Sequence, residues 1–111
     1  MKMNLKDRVE QSFGTYAAMA IQHRAIFDVR DCLKPSQRMG MYSQVLDKIT
    51  YKHAHKKTHL SIVSAMKHFY VHGDAAMAGV LCRMGSPISM RYPIEDTIGN
   101  MGTYAHLDDF A

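Results

Sequence analysis

Between residues 58 and 84, two stretches with helical apolar spacing are separated by a short break that ends in His72-Gly73-Asp74, and this arrangement leaves few options for the fold. Thr58 suits the N-cap of a helix running to Phe69, with Leu60, Ile62, Val63, Met66 and Phe69 inward and Ser61, Ser64, Lys67 and His68 outward. Gly73 permits a sharp turn, and Asp74 caps a second helix whose first turn, Ala75 to Ala78, carries little bulk. Val80, Leu81 and Met84 give that helix an apolar stripe. Two short helices joined by a glycine-containing turn form a helix-turn-helix, in which the second helix normally enters a major groove. The same helix also reads as an ordinary amphipathic core helix, and the segment alone does not choose.

The flanks extend this frame. Gly85, Ser86 and Pro87 stop the helix, Ile88 to Ile94 reads as a short strand, and Gly99 and Gly102 mark a tip returning into Thr103 and Tyr104. The expected fold is mainly α with a small β wing: a winged-helix domain over 23–111, preceded by an N-terminal helical arm over 1–22. In that arm Leu5, Val9, Phe13, Tyr16, Ala17, Ala20 and Ile21 keep a three-and-four spacing that Gly14 and Thr15 interrupt. One helix with a weak point, or two short ones, fits this pattern, and its apolar side could meet its own domain or another protomer.

Residues 23–35 alternate charged and apolar side chains, and Pro35 bars helix at Lys34, so a structured loop precedes a helix from Pro35 to about Lys48. That helix is expected to turn Met39, Tyr42, Val45, Leu46 and Ile49 inward. Lys34, Gln37 and Arg38 cluster at its start, where unpaired N–H groups and cations suit a phosphate; a solvated helix start is the other reading. The segment from Thr50 to Lys57 is a polar, basic connection. Its histidines, His53 and His55, with His59 beyond, have no carboxylate or thiolate at ligand spacing, so no metal site is expected.

Composition narrows the class of partner. A hydrophobic content of 47% excludes wholesale disorder, while a formal charge of +4 and a pI near 9.2 lean toward an anionic partner. No apolar run approaches the ~18 residues of a membrane span, and no secretory segment opens the chain, so a soluble intracellular protein without a membrane partner is expected. Cys32 and Cys82 stand far apart and read as reduced thiols.

Several strings carry a more specific signal: Tyr16-Ala17, Arg24-Ala25-Ile26, Asp28-Val29-Arg30-Asp31-Cys32-Leu33-Lys34-Pro35-x-Gln37-Arg38, Lys56-Lys57, His72-Gly73-Asp74, Arg83-Met84, Ser89-Met90-Arg91-Tyr92-Pro93 and Asp96-x-x-Gly99-Asn100-x-Gly102. In this order they resemble the winged-helix part of the breakage-reunion subunit of type IIA DNA topoisomerases, the A subunit of bacterial gyrase or topoisomerase IV. The resemblance covers about residues 15 to 111. It implies that Lys34, Gln37, Arg38, Lys56 and Lys57 grip the backbone of duplex gate-segment DNA, that His72 approaches the scissile phosphate, and that Asp74 and Ala75 open the recognition helix. Arg83 and Arg91 join the DNA-binding set on the same ground. Ala75 and Gly79 occupy the drug-pocket positions where quinolone-sensitive members carry a serine and an acidic residue. The sequence departs from the family at Phe27 for proline, Cys32 for glycine, Leu60 for arginine, and Tyr70 and Val71 for His-Pro.

The chemistry implied is attack of a tyrosine oxygen on a DNA phosphate, giving a 5′-phosphotyrosyl link and a free 3′-hydroxyl in ATP-dependent breakage, passage and rejoining. In this register the nucleophilic tyrosine is expected just beyond Ala111, and Tyr104 lies too close to Gly102 to replace it. The chain is therefore expected to be truncated before the nucleophile and inactive alone. No catalytic residue and no metal ligand is assigned within it. Mg2+ and ATP belong on the partner, a B-type subunit that meets the N-terminal arm, and homodimers form only through the full-length subunit. The expected location is cytoplasmic and nucleoid-associated, whether the gene is bacterial or phage-encoded. The alternatives are a stand-alone winged-helix DNA-binding regulator or decoy, and a protein-binding module built on the N-terminal helix.

Overall fold

The computed structural model describes residues 4–69 and 72–106, and among them it contains four helices. They are α1 (Leu5–Arg24), α2 (Pro35–Leu46), α3 (Thr58–His68) and α4 (Asp74–Gly85). The chain divides into two compact units, residues 1–35 and 36–111. No helix among the described residues is long and apolar enough to cross a membrane.

In the first unit α1 is continuous through Gly14 and Thr15, and the Thr15 hydroxyl donates to the Gln11 carbonyl at 3.0 Å within it. Asn4 caps it, its side chain accepting from the Lys6 N–H at 3.4 Å. No residue of α1 is buried; Leu5, Val9, Phe13, Tyr16, Met19 and Ile21 are all exposed. The loop that follows is braced by its own acidic side chains. Asp28 accepts three hydrogen bonds from Arg30, one from its backbone and two from its guanidinium, at 2.8 to 3.0 Å. Asp31 accepts from the Leu33 N–H at 3.0 Å. Two backbone bonds, Cys32 N–H to the Asp28 carbonyl and Asp28 N–H to the Leu33 carbonyl, close the loop, and they put Cys32 at φ 57 in the left-handed region.

In the second unit the core joins α3 to α4 through Ile62, Ala65, Met77 and Leu81, with Ala78 and Val80 packed against them. Burying side chains the size of Ile62, Met77 and Leu81 contributes about 1.5–3 kcal/mol each. α2 presents its small side to this core. A Cβ on Gly40 would stand 3.3 Å from Leu81 Cδ2, and Ser43 and Gln44 are the other buried residues of that helix.

The inward faces of α2 and α3 differ from expectation. Tyr42, Val45 and Leu46 are exposed, as are Leu60, Val63, Met66 and Phe69, while Ser61 and Ser64 are buried. Ser64, and Ser43 on α2, can enter because neighbouring carbonyls satisfy their hydroxyls. Ser43 Oγ donates to the Gly40 carbonyl at 2.7 Å, and Ser64 Oγ donates to the Ser43 carbonyl at 2.9 Å. Two caps also move by one residue. Lys57 rather than Thr58 is the N-cap of α3, and Gly73 rather than Asp74 is that of α4; Asp74 instead accepts from the Ala75 N–H at 2.8 Å. Gly73 itself is extended, at φ −62 and ψ 156, a conformation open to any residue.

After α4, residues 88–94 form turns and bends in place of the expected strand. Local hydrogen bonds take the strand's donors. The Met90 N–H bonds the Ser86 carbonyl at 3.0 Å, the Ile88 N–H bonds Ser86 Oγ at 3.3 Å, and the Ile94 N–H bonds the Met84 carbonyl at 2.9 Å. Gly99 and Gly102 have φ of 107 and 88, which explains glycine at the tip. Met101 is the one residue in an extended bridge among the described residues. Tyr70, Val71 and residues 107–111, on which some expectations fall, lie outside them.

Candidate nucleic-acid interface

α4 is anchored from Met77 onward and exposed before it. Met77 is fully buried, whereas Asp74, Ala75 and Ala76 lie on the surface, so the first turn projects a slim, solvated end. His72 and Gly73 are exposed immediately before it. Gly79 is partly buried, and Arg83, on the last turn, is exposed. In the loop at the other end of α4, Arg91 is exposed with its guanidinium 5.6 Å from the Tyr92 ring centroid.

Gln37 and Arg38 are partly buried in the first turn of α2, and Lys34 is exposed in the first unit. Lys56 and Lys57 are exposed at the start of α3 and line a crevice of about 360 Å³ together with Gln44, His55, Glu95 and Thr97. His55 Nε2 lies 3.3 Å from an Asp96 carboxylate oxygen at the edge of that crevice. Deeper in, Glu95 Oε1 is buried without a hydrogen-bond partner, and burial pushes the Glu95 carboxyl above its ordinary pKa. No cluster of three or more potential metal ligands occurs among the described residues.

The geometry is a slim helix start and scattered cations on a small helical unit, and the family is decided by the match along the chain. The model of the family described as the A subunit of DNA gyrase/topoisomerase IV matches residues 24–111. This chain belongs to that family. It is 35% identical over 101 residues to the DNA gyrase A subunit of Brachyspira hyodysenteriae, covering 91% of this chain and 12% of that protein. The corresponding protein of Spiroplasma citri is 37% identical, with 91% of this chain and 44% of that one covered. The DNA topoisomerase 4 A subunit of Streptococcus pyogenes is 36% identical, with 91% and 12% covered. The chain thus spans less than half the length of these relatives.

For a member of the gyrase/topoisomerase IV A-subunit family, the structure adds residues that the motifs do not single out. Asp28, Arg30 and Asp31 shape the loop before α2, so part of that string's specificity is loop architecture. The pair Asp47 and His68, with Nε2 to Oδ1 at 3.0 Å, ties the end of α2 to the end of α3. Its only sequence signal is one acid and one histidine, each near a helix end.

Proposed function

We propose that this chain is the N-terminal piece of a type IIA DNA topoisomerase A subunit and that it binds duplex gate-segment DNA for ATP-dependent double-strand breakage, passage and rejoining. The observation that carries this reading is the family match over residues 24–111, which spans both the braced loop and the exposed start of α4. In this reading residues 23–111 form a winged helix. α3 and α4 are its helix-turn-helix, and the turns after α4 stand in for the wing. Lys34, Gln37, Arg38, Lys56, Lys57, Arg83 and Arg91 contact phosphates, and His72, Asp74 and Ala75 face the duplex.

In this reading the named residues hold DNA, and none of them is the tyrosine nucleophile. Ala75 and Gly79 lack the hydroxyl and carboxylate that would support a drug bridge. The arm, residues 1–22, offers the exposed stripe of Leu5, Val9, Phe13 and Tyr16 to a B-type subunit that carries Mg2+ and hydrolyses ATP. Homodimerisation belongs to the full-length subunit, and the working location is the cytoplasm, at the nucleoid.

The test is duplex binding by the 111-residue chain at two salt concentrations, with and without Lys34→Ala and Arg38→Ala together. Removing one phosphate-binding cation should flatten the slope of log K against log salt by about 0.9, so the double variant should lose roughly 2 of it. Binding that ignores both salt and the two substitutions would sink the proposal.

A further inference from the structure

α2 and α3 are joined by two polar rungs four residues apart on both chain segments: Ser64 to the Ser43 carbonyl at 2.9 Å, and His68 to Asp47 at 3.0 Å. The first rung is buried in the core. The second closes the far end, where Asp47 and His68 side chains keep only 29% and 24% of their exposure. Lys67 Nζ also approaches the same Asp47 oxygen, at 3.5 Å.

The last buried residue of α3 is Ala65; beyond it Met66 and Phe69 are exposed, Phe69 keeps a backbone bond to Ala65 at 3.0 Å, and its ring meets that of Tyr42 on α2 at 5.7 Å between centroids. From here the chain proceeds to His72, Gly73 and the exposed start of α4.

We propose that Asp47 is a positioning residue for the duplex-binding surface: through His68 it fixes the C-terminal end of α3 against α2, and so sets the point from which the chain departs toward α4. This rests on the DNA-binding reading above. The expected sign is opposite to that of simple electrostatics. Asp47 is an acid on a basic protein, so deleting its charge would by itself favour a polyanion. A positioning role requires the reverse.

The experiment measures duplex affinity at fixed salt for the 111-residue chain, its Asp47→Ala, His68→Ala and double variants, and His68→Gln, whose amide nitrogen can replace Nε2. Arg38→Ala serves as the control, and circular dichroism monitors helix content. Asp47→Ala and His68→Ala should each weaken binding about fivefold, the double variant no further than either, and His68→Gln should recover most of the loss. If Asp47→Ala does not fold, Asp47→Asn, which keeps an acceptor oxygen, decides: it should bind within about twofold of the parent. Additive losses, failure of His68→Gln to recover binding, or an Asp47→Ala variant with intact helix content that binds as tightly as the parent would overturn the inference. When Arg38→Ala weakens binding and Asp47→Ala does not, the inference alone fails. A parent chain with no salt-dependent affinity removes the DNA-binding reading and the inference with it.

Discussion

Single residues on this chain sit in places that suit other residues better, and each gives a prediction. Lys48 has φ 55, its N–H bonds the Val45 carbonyl at 3.2 Å, and the Ile49 N–H bonds the Gln44 carbonyl at 2.8 Å. This is a Schellman end for α2 with lysine in the glycine position. Lys48→Gly should therefore stabilise the chain, by about 0.5–1 kcal/mol, since the left-handed cost of a Cβ exceeds the extra chain entropy of glycine. Urea unfolding reads this directly, and a lower midpoint would contradict it. Cys32, at φ 57, stands where the resemblance expects glycine, by the same logic. Glu95 shows strain of another kind. Its carboxyl is raised by burial, so the stability it offers is present while protonated and is lost as pH rises through its elevated folded-state pKa. Glu95→Gln should match the parent near pH 4 and exceed it at about pH 8 in denaturant unfolding; equal stability at both would count against an ionised buried carboxylate. Asp47 has the opposite sign. Side-chain hydrogen bonds from His68 first and then Ser64, with the Lys67 charge adding, hold it at about 2, so its contribution disappears only as pH falls from about 4 through about 2.

At the scale of elements, spacing with Pro35 and Gly73 locates α2, α3 and α4 to within a few residues, and for α1 it leaves open whether Gly14 and Thr15 divide one helix into two. The faces are legible on α4, where Leu81 and Met84 are buried, and illegible on α2 and α3. There the packing runs through Gly40, Ser43, Ser61 and Ser64, and the hydrogen bonds of Ser43 and Ser64 offset the cost of burying hydroxyls that polarity rules assign to water. The turns after α4 resemble a strand in sequence for a related reason: Ser86, fully buried, captures the donors of the residues that follow. Of the site, the exposed first turn of α4 is readable from small residues, whereas the Asp47–His68 link needs the fold. The joint between α4 and the turns is tight. A Cβ on Gly85 would lie 2.7 Å from Thr97 Cγ2, a stiff β-branched atom. Gly85→Ala should therefore cost about 1–3 kcal/mol in thermal or urea unfolding, and adding Thr97→Ser, which removes that methyl, should recover a large part. No cost, or no recovery, would show that this joint is looser than the structure has it.

For the whole molecule, charge and exposed apolar surface bear on the partners proposed above. The chain carries +4, belongs to the gyrase/topoisomerase IV A-subunit family over residues 24–111, and leaves every apolar side chain of α1 outside its core. Phe13→Asp on α1 should lower the affinity for a B-type subunit by about tenfold or more while leaving duplex affinity within about twofold, in a pull-down titration paired with a DNA-binding assay. A change in both, or in neither, would contradict the division of labour proposed between arm and DNA-binding unit. The proposal that residues of both units bind duplex DNA is tested most directly by amide chemical-shift mapping during titration with a short duplex. Shifts are expected to concentrate at Lys34, Gln37, Arg38, Lys56, Lys57 and His72 to Ala76. Shifts centred instead on Tyr42, Val45, Val63 and Met66, or none at a saturating duplex concentration, would contradict it.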